Sequence, residues 1–305
     1  MAFTAKDVAE LRKQTGCGMM DCKKALTETD GDFEAAVKYL REKGMGAVAK
    51  KADRIAAEGL VDVMTIDNTT AIVEVNSETD FVAKNATFQE FVKDVLKSII
   101  ANKPADVDAL LASKFVAGEG TVADALAENT YKIGEKLSIR RFVIVEGAVS
   151  TYIHGMGATG VIVSFDTDVA DKDGFAECAK NVALQTAAMD VKYLDKESVP
   201  AEVIAEEEAI LIKQMKEDPK MANKPDNILA NIVKGRLGKF YENNCLLEQA
   251  YVKDDSMSVS KYVESVAKSL GGSIKVTGYV RFDKGEGIQK REEDFAAEIQ
   301  KMVQG

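Results

Sequence analysis

A single histidine, His154, limits the chemistry open to this chain of 305 residues. Any scheme that passes protons between two histidines lacks its second partner. A Cys–His pair would have to join His154 to one of four scattered cysteines, Cys17, Cys22, Cys178 and Cys245. The C-x4-C spacing of Cys17 and Cys22 fits no common zinc motif, so no metal site is expected. The cysteines read as free thiols of a reducing compartment. Directly after His154 comes Gly155-Met156-Gly157-Ala158-Thr159-Gly160, a literal G-x-G-x-x-G. That fingerprint needs a following helix whose N–H groups meet a pyrophosphate, and here Val161-Ile162-Val163 continues as a strand. The stretch is therefore a glycine-rich turn. The sequence also lacks G-x-x-x-x-G-K-[ST], and no cofactor is expected.

Three other groups of residues could make contacts rather than catalyse. Thr79-Asp80-Phe81-Val82 stands where a strand-like run gives out. Thr and Asp form turns by bonding nearby backbone N–H groups. Phe81 reads either as a core aromatic or as an exposed wedge. Thr167-Asp168-Val169-Ala170, 88 residues further on, shares the Thr-Asp pair but has no aromatic. A purely structural role would call for similar bulk in both places. Near the N-terminus, Met19 and Met20 follow Gly18, with Lys23 close by. A small bundle has little room for both methionines, which makes a soft exposed contact of one of them a candidate. Arg140-Arg141, beside Glu135 and Glu146, reads as solvated charge on a sheet face.

Composition narrows the partners. The chain has 40 basic and 50 acidic residues and a net charge of −10, which disfavours general binding to nucleic-acid phosphates. Hydrophobic residues make up 46%, enough for a sizeable core at this length. No run of apolar residues is long enough to span a membrane. The first residues lack the apolar stretch of a signal peptide, so the cytoplasm is the expected compartment.

Stepping along the chain, the first 50 residues read as three short helices. Thr4 and Asp7 cap the first, and Phe33, Val37 and Leu40 form the apolar stripe of the third. Gly44 and Gly46 are expected to end the third helix, before a basic connector. From Glu58 the apolar period changes to two, and a hairpin turns at Asp67-Asn68. A helix with Phe88, Phe91, Val92, Val95 and Leu96 on one face follows. The pattern then returns at an offset of 88, read at Glu58/Glu146, Gly59/Gly147 and Asp80/Asp168. A helix-then-strand block repeats at an offset of 137, from Val122 to Val259. The difference leaves 49 residues inserted in the second copy, and an internal duplication is the simplest account. The insertion reads as two helices around Pro219 and Pro225, with apolar stripes facing each other. The fold class is α+β: a helical head, a duplicated α/β core with antiparallel sheets, a helical hairpin and a C-terminal helix. Expected boundaries are 1–54 for head and linker, 55–146 for the first half of the core, and 147–198 with 239–285 for the second. The hairpin takes 199–238 and the C-terminal module 286–305. Such a multi-point contact shape suits a binder better than a pocketed enzyme.

Four long strings go further. LRKQTGCGMMDCKKAL, EVNSETDFVAKNATF, KIGEKLSIRRF and TGYVRFDKGEGIQKREEDFAAEI resemble the elongation factor Ts family in order and spacing. The resemblance runs from about Val8 to Glu298. It implies a head of ubiquitin-associated type and a guanine-nucleotide exchange factor for the GTPase elongation factor Tu, with no covalent chemistry. It also implies that Thr79, Asp80, Phe81 and Val82 approach the magnesium-binding side of that GTPase, Phe81 as the wedge. Met19, Met20, Lys23, Ile133, Gly134 and His154 would supply further contacts. One departure is Lys136, where the family often has Asn. The resemblance leaves open a homodimer or 2:2 complex through the hairpin. A small-molecule enzyme and a ubiquitin-like-binding scaffold are the competing classes. The first has no polar cluster to work with, and the second gives Thr79–Val82 nothing to do.

Overall fold

The computed structural model describes residues 3–217 and 225–289. Most of the expected C-terminal module, and Pro219 of the hairpin, lie outside the described residues. The head comprises α1 (Ala5–Thr15), α2 (Met19–Glu28) and α3 (Phe33–Lys51). Thr4 and Asp7 form a reciprocal capping box at the start of α1. Leu11, Cys22, Leu26 and Leu40 close a small core of their own.

The first half of the core runs β1 (Glu58–Ile66), β2 (Thr69–Ser77), α4 (Asp80–Ala83), α5 (Ala86–Asn102), α6 (Val107–Ala112), α7 (Val122–Ile133) and β3 (Ser138–Glu146). The second half runs β4 (Ala148–His154), β5 (Thr159–Thr167) and α8 (Asp173–Ala188), then α9 (Ala201–Glu217) and α10 (Asp226–Asn244). It closes with β6 (Ala250–Tyr251), β7 (Asp254–Ser258), α11 (Val259–Leu270) and β8 (Ile274–Asp283). Each half holds a three-stranded antiparallel sheet, β1-β2-β3 and β4-β5-β8. Alternation along the strands divides their side chains between two faces. Val61, Ile72, Ile162 and Phe282 meet between the sheets. Leu60, Val73 and Val75 point the other way, to Phe88, Val92 and Val95 of α5. Val161, Val163 and Phe165 do the same toward Phe175 and Val182 of α8. The core is thus four layers, helix–sheet–sheet–helix, which is the α+β class expected.

Backbone pairing shows the duplication in more detail. Leu60 pairs with Val75 and Val75 with Ile139, just as Ala148 pairs with Phe165 and Phe165 with Val276. Both sheets carry a bulge at the same place, with Arg140 left unpaired in β3 and Thr277 in β8. Equivalent positions are therefore 88 apart in the first strand, 90 apart in the second and 137 apart in the third. The two extra residues lie in the turn, Gly155 to Ala158 against Asp67-Asn68.

The structure corrects four expectations. First, α3 continues through both glycines to Lys51. Gly44 lies against α7, where a Cβ would stand 3.1 Å from the Ala127 carbonyl oxygen; it permits close helix packing and stops nothing. Second, the head is docked as well as tethered, with Tyr131 of α7 in its apolar cluster and Arg41 3.2 Å from Asp124. Third, α10 runs on past Gly238 to Asn244, because Tyr241 still packs on the hairpin's cluster of Leu211, Met215, Val233 and Leu237. Fourth, Arg140 and Arg141 are not solvated face charges. The bulge turns both onto Glu74, at 3.0 and 2.7 Å, and that carboxylate is 0% exposed. The Gly285 N–H and the Asn76 amide also donate to it, at 2.8 and 3.0 Å. The group ties the end of β8 to the first sheet.

Candidate partner-docking site

Glu78 and Asp168 are the first residues beyond β2 and β5, and their carboxylates do the same work. Glu78 accepts the Lys136 N–H at 2.5 Å, and Asp168 accepts the Ser273 N–H at 2.6 Å. Val82 and Val169 are also equivalent. Each is buried, and each carbonyl accepts the N–H of the cap residue that opens the following helix, Asn85 or Lys172. Between the members of these pairs the second half has nothing, and the first has Thr79, Asp80 and Phe81. The match of Thr79-Asp80 to Thr167-Asp168 is thus a coincidence of spelling, and the expected Asp80/Asp168 equivalence is overturned. The candidate segment is a three-residue addition unique to the first half.

The addition is held firmly at its base. Thr79 donates its N–H to Glu135 at 2.9 Å and its hydroxyl to the same carboxylate at 2.6 Å. The Ser77 hydroxyl donates to the Thr79 carbonyl at 2.9 Å. With Thr79 fixed in extended conformation, α4 makes a single turn anchored in the core by Val82. Phe81 is left outside, 78% exposed, so the core-aromatic alternative does not hold. Lys84 brackets it, with its Nζ 2.7 Å from Asp80 and 5.9 Å from the centre of the Phe81 ring. Hydrogen bonding to Lys84 holds the Asp80 carboxyl below its ordinary range.

The head residues adjoin this base by way of α7. Both Met19 and Met20 are exposed, at 52% and 73%, so the bundle houses neither. Lys23, one turn on, is also exposed. Burial, and then a hydrogen bond to Asp21 of α2, push the Tyr131 hydroxyl of α7 well up, and Lys132 lies against Gly16. The start of α2 therefore sits beside the end of α7. There Ile133 packs into the first core and Gly134 caps the helix in left-handed conformation, φ 83°. Glu135 follows, so Ile133, Gly134 and Thr79 belong to one junction. His154 lies in the other half, exposed at the end of β4, with its ring Nδ1 3.2 Å from the Tyr152 hydroxyl.

The sequence gives no sign of the bonding roles of Glu135, Lys136 and Glu78. Lys136 Nζ donates to the Ala52 and Arg54 carbonyls at 2.5 and 2.8 Å, and Arg54 reaches Glu78 at 3.2 Å. The KIGEK string marks the place, with Ile133 and Gly134 as the expected contacts and Lys136 as the departure from the family pattern. Met156 was missed as well. It is an apolar residue 82% exposed in the turn after His154, at φ 53°. Among the described residues, no three His, Cys, Asp or Glu side chains come together as a metal site would require. No described helix is long and apolar enough to cross a membrane.

Known proteins resemble this chain over nearly its whole length. A family model described as Elongation factor TS covers residues 78–286. Elongation factor Ts of Syntrophotalea carbinolica is 46% identical over 306 aligned positions, spanning 99% of this chain and 100% of that protein.

Proposed function

Since the chain belongs to the elongation factor Ts family, and so has a role in translation elongation, we propose that it binds elongation factor Tu and speeds the release of GDP. The observation that carries this reading is Phe81, a large apolar side chain standing free on an addition that only one half of a duplicated core possesses. Exposed aromatics on a rigid base make interface hot spots. A segment that served only to link strand to helix would need no such residue, because the second half makes the same link without it.

The mechanism is linkage, with no covalent step. A factor that binds the nucleotide-free GTPase more tightly than the GDP form must weaken GDP binding by the same ratio. Phe81 enters the magnesium-binding side of the partner, displacing groups that hold the ion and the phosphates. Asp80, held by Lys84, orients the turn, and Thr79 and Val82 fix its two ends. Met19, Met20, Lys23, Ile133, Gly134 and His154 give the partner further contacts on both halves of the chain. GTP then reloads the emptied GTPase, in the cytoplasm, with no nucleic acid involved. Pairing of two copies through the hairpin has less support. Its stripe of Leu211, Met215, Val233 and Leu237 is buried internally, and Ile210, Ile212 and Ile228 are the large apolar residues exposed among its described residues.

The test follows fluorescent GDP leaving elongation factor Tu on addition of the chain. Release should accelerate, and rising magnesium should slow it, because the ion stabilises the GDP-bound partner that Phe81 must open. Release that ignores the chain, or that quickens steadily with magnesium, would contradict the proposal.

A further inference from the structure

We infer that Glu135 is the positioning residue of the exchange element, its carboxylate setting the direction in which Phe81 leaves the sheet. This rests on the exchange reading above and adds a residue to it. The two halves of the core differ at the position that carries this role. Gly134 and Gly271 are equivalent left-handed caps of α7 and α11, with φ of 83° and 66°. The next residue is Glu135 in the first half and Gly272 in the second. A Cβ on Gly272 would collide with Val169 Cγ1 and come within 2.5 Å of Asp168 Oδ1. In the second half the chain passes straight from Asp168 to Val169, so only a glycine fits there. In the first half the three added residues carry the chain outward. The space a glycine must leave empty in one copy is the place from which Glu135 grips Thr79 in the other.

The grip is two-pronged. One carboxylate takes both the N–H and the hydroxyl of Thr79, at 2.9 and 2.6 Å, and a charged acceptor makes each bond stronger than a neutral one. Only Phe81 and Asp80 extend beyond it before Val82 re-enters the core. Lys136, adjacent in sequence, holds the Ala52 and Arg54 carbonyls at the end of α3. The same two residues therefore fix the wedge and the foot of the head, which sets the spacing between two contact points on the partner.

A double-mutant cycle tests this, using the full chain and elongation factor Tu loaded with fluorescent GDP. Glu135→Ala should lower the maximal catalysed release rate roughly tenfold, the equivalent of about one hydrogen bond to a charged group. The concentration giving half-maximal rate should change little, and so should the melting temperature. Glu135→Gln keeps one acceptor oxygen and should recover part of the rate. In a Phe81→Ala background, Glu135→Ala should cost nothing further, because there is no wedge left to aim. Equal losses in both backgrounds would overturn the inference, as would a parent-like rate for Glu135→Ala. If that variant melts early, Thr79→Val removes one donor with little change of shape, and a parent-like rate there would overturn it equally. A Phe81→Ala chain that exchanges at the parent rate would sink the exchange reading itself, a distinguishable result.

Discussion

Glu74 is a carboxylate with no exposed surface, and its ionisation is set by competing effects. Burial pushes its pKa up, and the Gly285 N–H, the Asn76 amide and the Arg140 and Arg141 guanidiniums outweigh it. The folded pKa lies below the ordinary value, so the carboxylate stabilises the fold at neutral pH. That contribution is complete above the unfolded pKa of about 4.3 and is lost as pH falls through the lower, folded value. Glu74→Gln leaves the Arg140 guanidinium without its counter-charge and Arg141 with Glu286 alone, at 3.0 Å, and should cost about 3 kcal/mol near neutrality. The deficit should shrink in acid, where the parent's carboxylate is also neutral. Denaturant melts of both proteins at neutral pH and below pH of about 4 check this, and a deficit that grew on acidification would refute it. The sequence hid this role. Two arginines in a strand look solvated until the bulge at Arg140 turns them onto the same acid.

At the scale of elements, two glycines in one helix should respond differently to the same change. Gly46 has open space around its missing Cβ. Gly46→Ala should therefore stabilise the protein by about 0.5–1 kcal/mol through helix propensity alone. Gly44 faces the Ala127 carbonyl oxygen, so Gly44→Ala must push α3 off α7 and should forfeit that gain. Thermal melts of the two variants decide it, and equal gains would mean that α3 does not rest on α7. The sequence could not distinguish these glycines, because propensity registers a breaker and is blind to the neighbouring helix that needs one. Strand period, caps and the shared alternation made the duplicated sheets legible. The extra residues 79–81 were not, since two residues gained in the Gly155–Ala158 turn and three lacking after Asp168 nearly cancel. A Thr-Asp pair then fell at the earlier offset by chance. Only the strand register, Val75 opposite Leu60 and Phe165 opposite Ala148, reveals the shift.

For the whole molecule, the proposed function requires three contact regions along one chain: the methionines of the head, the wedge of the first half and His154 of the second. Removing residues 1–51 should leave the layered core folded, since its two clusters use no head residue. The melting temperature should fall, because Ala127 and Tyr131 of α7 lose their cover. Catalysed GDP release should drop through weaker complex formation and recover in part with excess truncated chain. A core that no concentration rescues would place the chemistry of opening in the head. The exposure of these residues was partly legible, because a small bundle has little room for Met19 and Met20 and the stretch Thr167–Ala170 has no aromatic to match Phe81. What the sequence could not supply was the geometry that links them, through Glu135 and Lys136. The most direct test of the central claim is the maximal rate at which saturating Phe81→Ala chain releases fluorescent GDP from elongation factor Tu, measured beside its melting temperature. With the wedge carrying about 2 kcal/mol of the partner's opening, the rate should fall roughly thirtyfold while the melting temperature, for a side chain 78% exposed, stays at the parent value. A parent-like rate, or a loss fully explained by early melting, would contradict the account.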